Sequence, residues 1–190
     1  MKVEAAPQSL LLTLPNLLSL LRIGLLPFIL ILLNFPGPRW SLFAALLFLI
    51  ACLTDLLDGY IARRYRMVTK VGKLLDPVAD KLLILTPLIM LIPLRGVPAW
   101  VVVVMVWREM AVTILRQVAA ERGVVVDASL LGKEKAVLQL TAVTALILHY
   151  PYVGVDFHRM GMGLLYLALV VTLWSGVQYF RAVIRTLREG

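Results

Sequence analysis

The sequence predicts an all-α integral membrane protein with six transmembrane helices. Hydrophobic residues make up 61% of its 190 positions, far more than in a soluble domain. These residues collect in six apolar stretches, whereas the charged residues lie mainly between the stretches. A spanning helix needs about 20 apolar residues, and most of the stretches approach that length. We therefore expect a single membrane-embedded domain over residues 1–190.

The predicted spans follow one another with short connections. In order, they cover residues 17–33, 41–61, 74–94, 100–118, 136–149 and 161–180. The fifth stretch has only about 14 residues, so its ends are expected to extend. Ahead of the first span, Pro15 and Asn16 interrupt the apolar run. We expect residues 1–15 to form a juxtamembrane segment at the cytoplasmic surface, and not a signal peptide.

The basic residues predict the orientation of the spans. Most of them flank the second and fourth connections or follow the last span: Arg63, Arg64, Arg66, Lys70, Lys73, Arg116, Arg122, Lys133, Lys135, Arg181, Arg185 and Arg188. Because basic residues stay on the cytoplasmic side, both termini and the even-numbered connections are predicted to be cytoplasmic. The net charge of +8 is then explained by topology and by attraction to anionic head groups. It does not indicate nucleic-acid binding.

Four aspartates, Asp55, Asp58, Asp76 and Asp80, stand out in this apolar chain. The first two are three residues apart and the last two are four apart, so each pair shares one face of a helix. The connection over residues 64–71 is short and basic, which predicts a tight turn between antiparallel helices. The two carboxylate pairs are therefore expected to face each other across a helical hairpin.

This aspartate cluster is predicted to bind divalent metal. A carboxylate in a bilayer costs roughly 2.5–3.5 kcal/mol, so an opposite charge must meet the four of them. Oxygen ligands of this kind suit Mg²⁺ or Mn²⁺, and two such ions would balance four negative charges. Gly59 and Ala62 share the first stripe and leave room for a ligand beside the metals. The alternative interpretation is that the aspartates are helix caps or solvated loop charges.

A second group of charges surrounds the fourth connection. Arg108 and Arg116 are eight residues apart in the fourth span and therefore share a face, while Lys133 and Lys135 precede the fifth span. Together these four cations would form a pocket for an acceptor that carries its own phosphate. The alternative is that Arg108 pairs with Glu109 or an aspartate and that the lysines anchor the helix end.

The aspartates belong to a longer pattern, D-x-x-D-G-x-x-A-R, eight residues, then G-x-x-x-D-x-x-x-D. The chain matches it at every fixed position, which are Asp55, Asp58, Gly59, Ala62, Arg63, Gly72, Asp76 and Asp80. In this pattern the chain resembles the CDP-alcohol phosphotransferase family. The resemblance implies six transmembrane helices in a homodimer with an active site open to the cytoplasm. It also implies transfer of a phosphoalcohol group from a CDP-linked donor, with release of CMP.

The same resemblance implies roles for the signature residues. Asp55, Asp58 and Asp76 would bind two metal ions on the donor diphosphate, and Asp80 would be a further ligand and the general base. The donor would lie against the remaining signature residues and one turn residue, which are Gly59, Ala62, Arg63, Gly72 and Thr69. The alternative interpretations are that Arg63 is a membrane anchor and that Thr69 is a plain turn residue.

Over its whole length the chain resembles one branch of that family, the bacterial phosphatidylglycerophosphate synthases. The matching segments are L-P-N-L-L-S-L-L-R-I, W-R-E-M-A-V-T-I-L-R, L-G-K-E-K-A and T-L-W-S-G-V-Q-Y. This branch implies transfer of the phosphatidyl group of CDP-diacylglycerol to glycerol 3-phosphate at the bacterial inner membrane. Asn16, Ser19 and Arg22 would lie near the site, although Arg22 would equally well snorkel to the head groups.

Other functions compatible with the sequence differ in acceptor or in class. Synthesis of phosphatidylinositol phosphate, cardiolipin or phosphatidylserine uses the same chemistry with another acceptor. A divalent-cation transporter is the alternative from another class, because buried acids also mark ion routes. The outer halves of the spans lack acidic residues, which disfavours a path across the membrane.

Overall fold

The computed structural model describes residues 14–65, 70–121 and 130–189, with side chains for residues 17–54, 78–120 and 134–186. Within these ranges the chain is helical apart from short turns and one small hairpin. The helices are α1 (Leu14–Asn34), α2 (Pro38–Tyr65), α3 (Lys70–Arg95), α4 (Ala99–Glu121), α5 (Leu130–Leu148) and α6 (Phe157–Glu189). Each predicted span coincides with one helix, which confirms the all-α class. The fifth extends toward its N-terminus, as expected for a stretch that was too short.

Glycine fixes two of the connections as tight turns. Gly37, with φ 113°, precedes Pro38 at the first position of α2, where the missing proline N–H costs no helical hydrogen bond. Gly96, with φ 65°, directly follows α3 in the left-handed conformation that ends many helices. The short turn at Gly37 allows α1 to pack against α2.

The chain forms two compact units, with a boundary inside α3 between Pro87 and Leu88. In the first unit, α1 and α2 pack around buried apolar residues, which include Ile29, Leu33, Ala44 and Phe48. In the second unit, α6 packs against both α4 and α5, and the core includes Met105, Leu146 and Leu165. The predicted single domain over residues 1–190 stays a prediction.

The connection between α5 and α6 is a β-hairpin that the sequence did not predict. Strands β1 (Pro151–Tyr152) and β2 (Val155–Asp156) pair in antiparallel fashion. The turn residues Val153 and Gly154 have φ of 52° and 78°, which is the backbone of a type I′ turn. Asp156 then caps α6, because its carboxylate accepts a hydrogen bond from the N–H of Arg159 at 3.0 Å.

Two helical segments of the described chain are long and apolar enough to cross a membrane, Leu17–Asn34 and Phe157–Thr186. Only 28% and 33% of their most apolar windows are buried inside the protein, unlike the core helices of a soluble domain. On these helices Phe28, Val170 and Trp174 expose 61–63% of their surface. Large apolar side chains exposed along a long apolar helix are typical of a surface that contacts lipid or another protein. The structure thus supports membrane insertion, while the count of six spans stays a prediction.

Candidate active site

Of the four signature aspartates, the structure describes the side chain of Asp80. The helix α2 carries Asp55 and Asp58, and α3 carries Asp76 and Asp80. The side chains of the other predicted metal-binding and donor-binding residues lie outside the described ranges. These residues are Asp55, Asp58, Gly59, Ala62, Arg63, Thr69, Gly72 and Asp76. That the two carboxylate pairs face each other across a hairpin therefore stays a prediction.

Arg22 of α1 forms an ion pair with Asp80 of α3 inside the first unit. Its Nη1 donates a hydrogen bond to Oδ1 of Asp80 at 3.0 Å. The Arg22 side chain is 0% exposed, whereas that of Asp80 is 49% exposed. A fully buried guanidinium requires an acidic partner, which Asp80 supplies. The interpretation that Arg22 snorkels to the head groups is therefore wrong, and Arg22 lies against a signature aspartate as the other interpretation expected.

The setting of Asp80 suits a group that binds a cation or accepts a proton. One carboxylate oxygen is held in place by Arg22, while half of the side-chain surface remains accessible. Aspartate oxygens are the ligands that Mg²⁺ and Mn²⁺ prefer. Asp80 therefore fits the donor chemistry of a divalent-metal site.

Glu109 lies at the centre of a second charged cluster, in the second unit. Its Oε1 accepts hydrogen bonds from Nη1 of Arg108, at 3.1 Å, and from Nζ of Lys135. The three side chains are only 11–16% exposed. Nη2 of Arg108 also donates to Oγ of Ser175 at 2.6 Å. The cluster thus joins α4, α5 and α6 through charge-assisted hydrogen bonds.

The pairing of Arg108 with Glu109, which the sequence offered as an alternative, is present in the structure. Arg116 lies two turns further along α4, with its guanidinium 5.6 Å from the ring centre of Tyr179 on α6. Arg108 and Arg116 therefore both face α6, so the predicted shared face is confirmed. The side chain of Lys133 lies outside the described residues.

The cluster keeps a net positive charge in spite of Glu109. Arg108, Arg116 and Lys135 contribute three positive charges against one negative charge, which leaves +2. Burial lowers the pKa of Lys135, which precedes the predicted fifth span; both arginines lower it further, and Glu109 opposes the shift. Both arginines therefore lie close enough to Lys135 to interact with it electrostatically.

Sequence reasoning missed Ser175 as a partner of Arg108. The residue next to it, Gly176, explains how the arginine fits, since a Cβ at Gly176 would lie 3.0 Å from Nε of Arg108. A pair of small residues on one membrane helix is a signal that a neighbouring helix or a large side chain approaches closely. The pair was present in the segment T-L-W-S-G-V-Q-Y.

The aspartate paired with Arg22 suits a cation, and the cations around Glu109 suit an anion. The chain belongs to the CDP-alcohol phosphatidyltransferase family, whose profile matches residues 12–174. Divalent-metal dependence is general in this family.

Three relatives make the comparison more specific. The chain is similar to the CDP-diacylglycerol–glycerol-3-phosphate 3-phosphatidyltransferase of Bacillus subtilis, with 43% identity over 88% of this chain and 93% of the relative. A protein of the same name from Rickettsia bellii is 38% identical over 89% of this chain and 94% of the relative. A probable phosphatidylglycerophosphate synthase of Mycobacterium tuberculosis is 38% identical over 93% of this chain and 82% of the relative.

Proposed function

We propose that this protein transfers the phosphatidyl group of CDP-diacylglycerol to glycerol 3-phosphate, giving phosphatidylglycerophosphate and CMP. The proposal rests on a complete aspartate signature in a chain whose relatives, similar over 88–93% of its length, are named for this reaction. The charge of the second cluster supports the choice of acceptor.

The chemistry is an in-line substitution at phosphorus. A hydroxyl oxygen of glycerol 3-phosphate attacks the phosphorus that carries diacylglycerol, and the bond from that phosphorus to the bridging oxygen breaks. CMP leaves with the bridging oxygen. Asp80 takes the proton of the attacking hydroxyl as general base. The ion pair with Arg22 supports this role, because it fixes one carboxylate oxygen and leaves the side chain half exposed.

Two divalent ions, Mg²⁺ or Mn²⁺, would be held by Asp55, Asp58, Asp76 and Asp80. When bound, they neutralise the diphosphate of the donor and stabilise the departing CMP. The carboxylate chemistry of Asp80 supports this assignment. The donor itself would lie against the remaining signature residues and the turn, which are Gly59, Ala62, Arg63, Thr69 and Gly72.

The acceptor's phosphate would be held by Arg108, Arg116, Lys133 and Lys135. A phosphate monoester carries a charge of about −1.5 to −2 at neutral pH. The described part of this cluster has a net charge of +2, which matches a monoester better than it matches serine or a phosphodiester lipid. Glu109 would position Arg108 and Lys135, because one of its carboxylate oxygens, Oε1, accepts hydrogen bonds from both.

The topology is proposed to have six spans, with both termini and the active site on the cytoplasmic side of the bacterial inner membrane. The distribution of basic residues supports this orientation. The packing of α4 and α6 also agrees with it. Arg108 contacts Ser175 and Arg116 contacts Tyr179, so the two helices run in the same direction, as two even-numbered spans must. By the family resemblance we propose a homodimer.

A purified-enzyme assay tests the proposal. CMP release should be faster with glycerol 3-phosphate as acceptor than with inositol phosphate, serine or phosphatidylglycerol. A chelator should stop the release, and added Mg²⁺ or Mn²⁺ should restore it. Preference for another acceptor would reassign the substrate. Metal uptake into proteoliposomes without CMP release would instead indicate that the protein is a divalent-cation transporter.

Replacement of the proposed base gives the sharper test. The variant Asp80→Asn should lose at least about 100-fold in turnover, because general-base catalysis typically contributes 10²–10⁴. Asp156→Asn is the matched control. Asp156 is also half exposed (48%) and paired with an arginine, and asparagine caps a helix as well as aspartate does. If the two variants have equal activity, Asp80 is not the base.

A further inference from the structure

A groove of about 940 Å³ runs between α4 and α6 in the second unit. Its apolar walls include Ala111, Leu115 and Val118 of α4 and Leu173, Val177 and Phe180 of α6. Several of these side chains are exposed, Phe180 by 54%, so the groove opens toward the surroundings of the helices. The volume lies within the roughly 300–1,000 Å³ that ligand sites usually have.

The length of the groove matches one leaflet of a bilayer. From Leu173 to Arg185 the α6 wall rises over twelve residue steps, or about 18 Å at the helical rise of 1.5 Å per residue. The hydrocarbon core of a bilayer is about 30 Å thick, so one leaflet contributes about 15 Å. An extended acyl chain therefore fits along the wall, with its glycerol end near Arg185.

Two of the three arginines among the described lining residues lie at that same end. Arg181 and Arg185 are one helical turn apart, and both line the groove. Arg108 lines it nearer the other end, where Glu109 is its partner. No acidic residue is among the described residues that line the groove. Guanidinium groups bind phosphate through paired hydrogen bonds, so this end is suited to a lipid phosphate.

We propose that the α4–α6 groove binds a diacyl anionic phospholipid of the bilayer, with one acyl chain along the apolar wall and its phosphate at Arg181 and Arg185. A zwitterionic lipid has the same chains, but its ammonium group would repel the two guanidinium groups. The groove should therefore select lipids by head-group charge. This lipid is bound and not consumed, so its binding does not depend on the proposed transfer reaction.

Native mass spectrometry of the full-length protein in detergent tests the proposal without any donor or acceptor. Phosphatidylglycerol and phosphatidylcholine with identical acyl chains are titrated separately. We expect at least a tenfold tighter dissociation constant for phosphatidylglycerol. Equal affinities for the two lipids would overturn the proposal. This test uses only the wild-type protein, so it does not depend on whether a variant folds.

Variants then locate the site. The double variant Arg181→Gln/Arg185→Gln should weaken phosphatidylglycerol binding at least tenfold and leave phosphatidylcholine binding within twofold. Ala111→Trp, which fills the groove, should weaken the binding of both lipids. Arg159→Gln is the matched control, because Arg159 is an exposed arginine on α6 at the opposite end of the helix. It should stay within twofold of the wild type.

Three further outcomes would refute the inference. The first is a double variant that binds both lipids like the Arg159→Gln control. The second is competition by water-soluble glycerophosphoglycerol at the same concentration as the lipid. That result would mean that the arginines bind a phosphate group and that the groove binds no acyl chain. The third is an Ala111→Trp variant that changes the dimer fraction and leaves lipid binding intact, which would assign the groove to a second copy of the chain.

Discussion

Replacement of Arg22 by methionine should destabilise the protein because it removes the buried partner of Asp80. Methionine keeps the length and the helix propensity of arginine, so the change is mainly one of charge. A hydrogen bond to a charged group contributes about 1.5–3 kcal/mol. Removal of one partner from a fully buried pair costs more, about 3–5 kcal/mol. Because Asp80 is 49% exposed and regains water, we expect the lower range, about 1.5–3 kcal/mol.

The chain contains a closely matched control for this substitution. Arg159 and Asp156 form an ion pair at 3.1 Å, against 3.0 Å for Arg22 and Asp80, and the two aspartates are 48% and 49% exposed. The arginines differ, with 88% exposure for Arg159 and 0% for Arg22. Exposed ion pairs contribute about 0–1 kcal/mol. The variant Arg159→Met should therefore cost less than about 1 kcal/mol.

A thermal melt with a thiol-reactive dye measures the difference. The chain has a single cysteine, Cys52, which is buried in the same unit as Arg22 and becomes reactive on unfolding. For a chain of this size, 1 kcal/mol corresponds to about 2–4 °C, so Arg22→Met should lower Tm by about 3–12 °C. Equal losses in the Arg22 and Arg159 variants would refute the conclusion that burial makes this ion pair important. Arg22→Lys should restore part of the loss, since it keeps the charge.

Two further substitutions test the packing of the second unit. Gly161→Ala should lower Tm relative to Gly163→Ala, because a Cβ at Gly161 would lie 2.9 Å from the backbone nitrogen of Leu146, whereas nothing lies within 4 Å at Gly163. The gain in helix propensity is common to both, so the difference is the overpacking cost of about 1–3 kcal/mol; equal melts would show that α5 and α6 can separate. Glu109→Gln should lower the unfolding free energy on the order of 3 kcal/mol, because two mostly buried cations lose their carboxylate. An unchanged melt would mean that Glu109 does not hold the cluster together.

Helix positions could be predicted from the sequence because they depend on one local property, the length of an apolar stretch. Each predicted span falls on one described helix, but α6 continues to Glu189, beyond its predicted end at residue 180, and α5 begins at Leu130, six residues before its predicted start. That extension adds the charged segment with Lys135, which an apolar count cannot detect. The hairpin was missed for a different reason. Valine rarely adopts positive φ, so Val153 gave no sign of the turn that it occupies.

The contacts of the candidate site were predictable only where the partners are close in sequence. Arg108 and Glu109 are neighbours, and their pairing was one of two interpretations that the sequence left open. Arg22 and Asp80 are 58 residues apart, and only the folded chain brings the two side chains together. The sequence placed Arg22 near the site by resemblance alone. It could not separate a buried partner from a head-group anchor, because both interpretations need the same residue type.

The hairpin between α5 and α6 gives this protein an accessible position for a label. Its tip is fully accessible, since Val153 is 103% exposed, and the turn is held by only two short strands. Tips of this kind tolerate inserted tags and chemical probes. A label placed there would reveal on which side of an intact cell the loop emerges. This short hairpin is thus a position from which the sidedness of the protein can be measured.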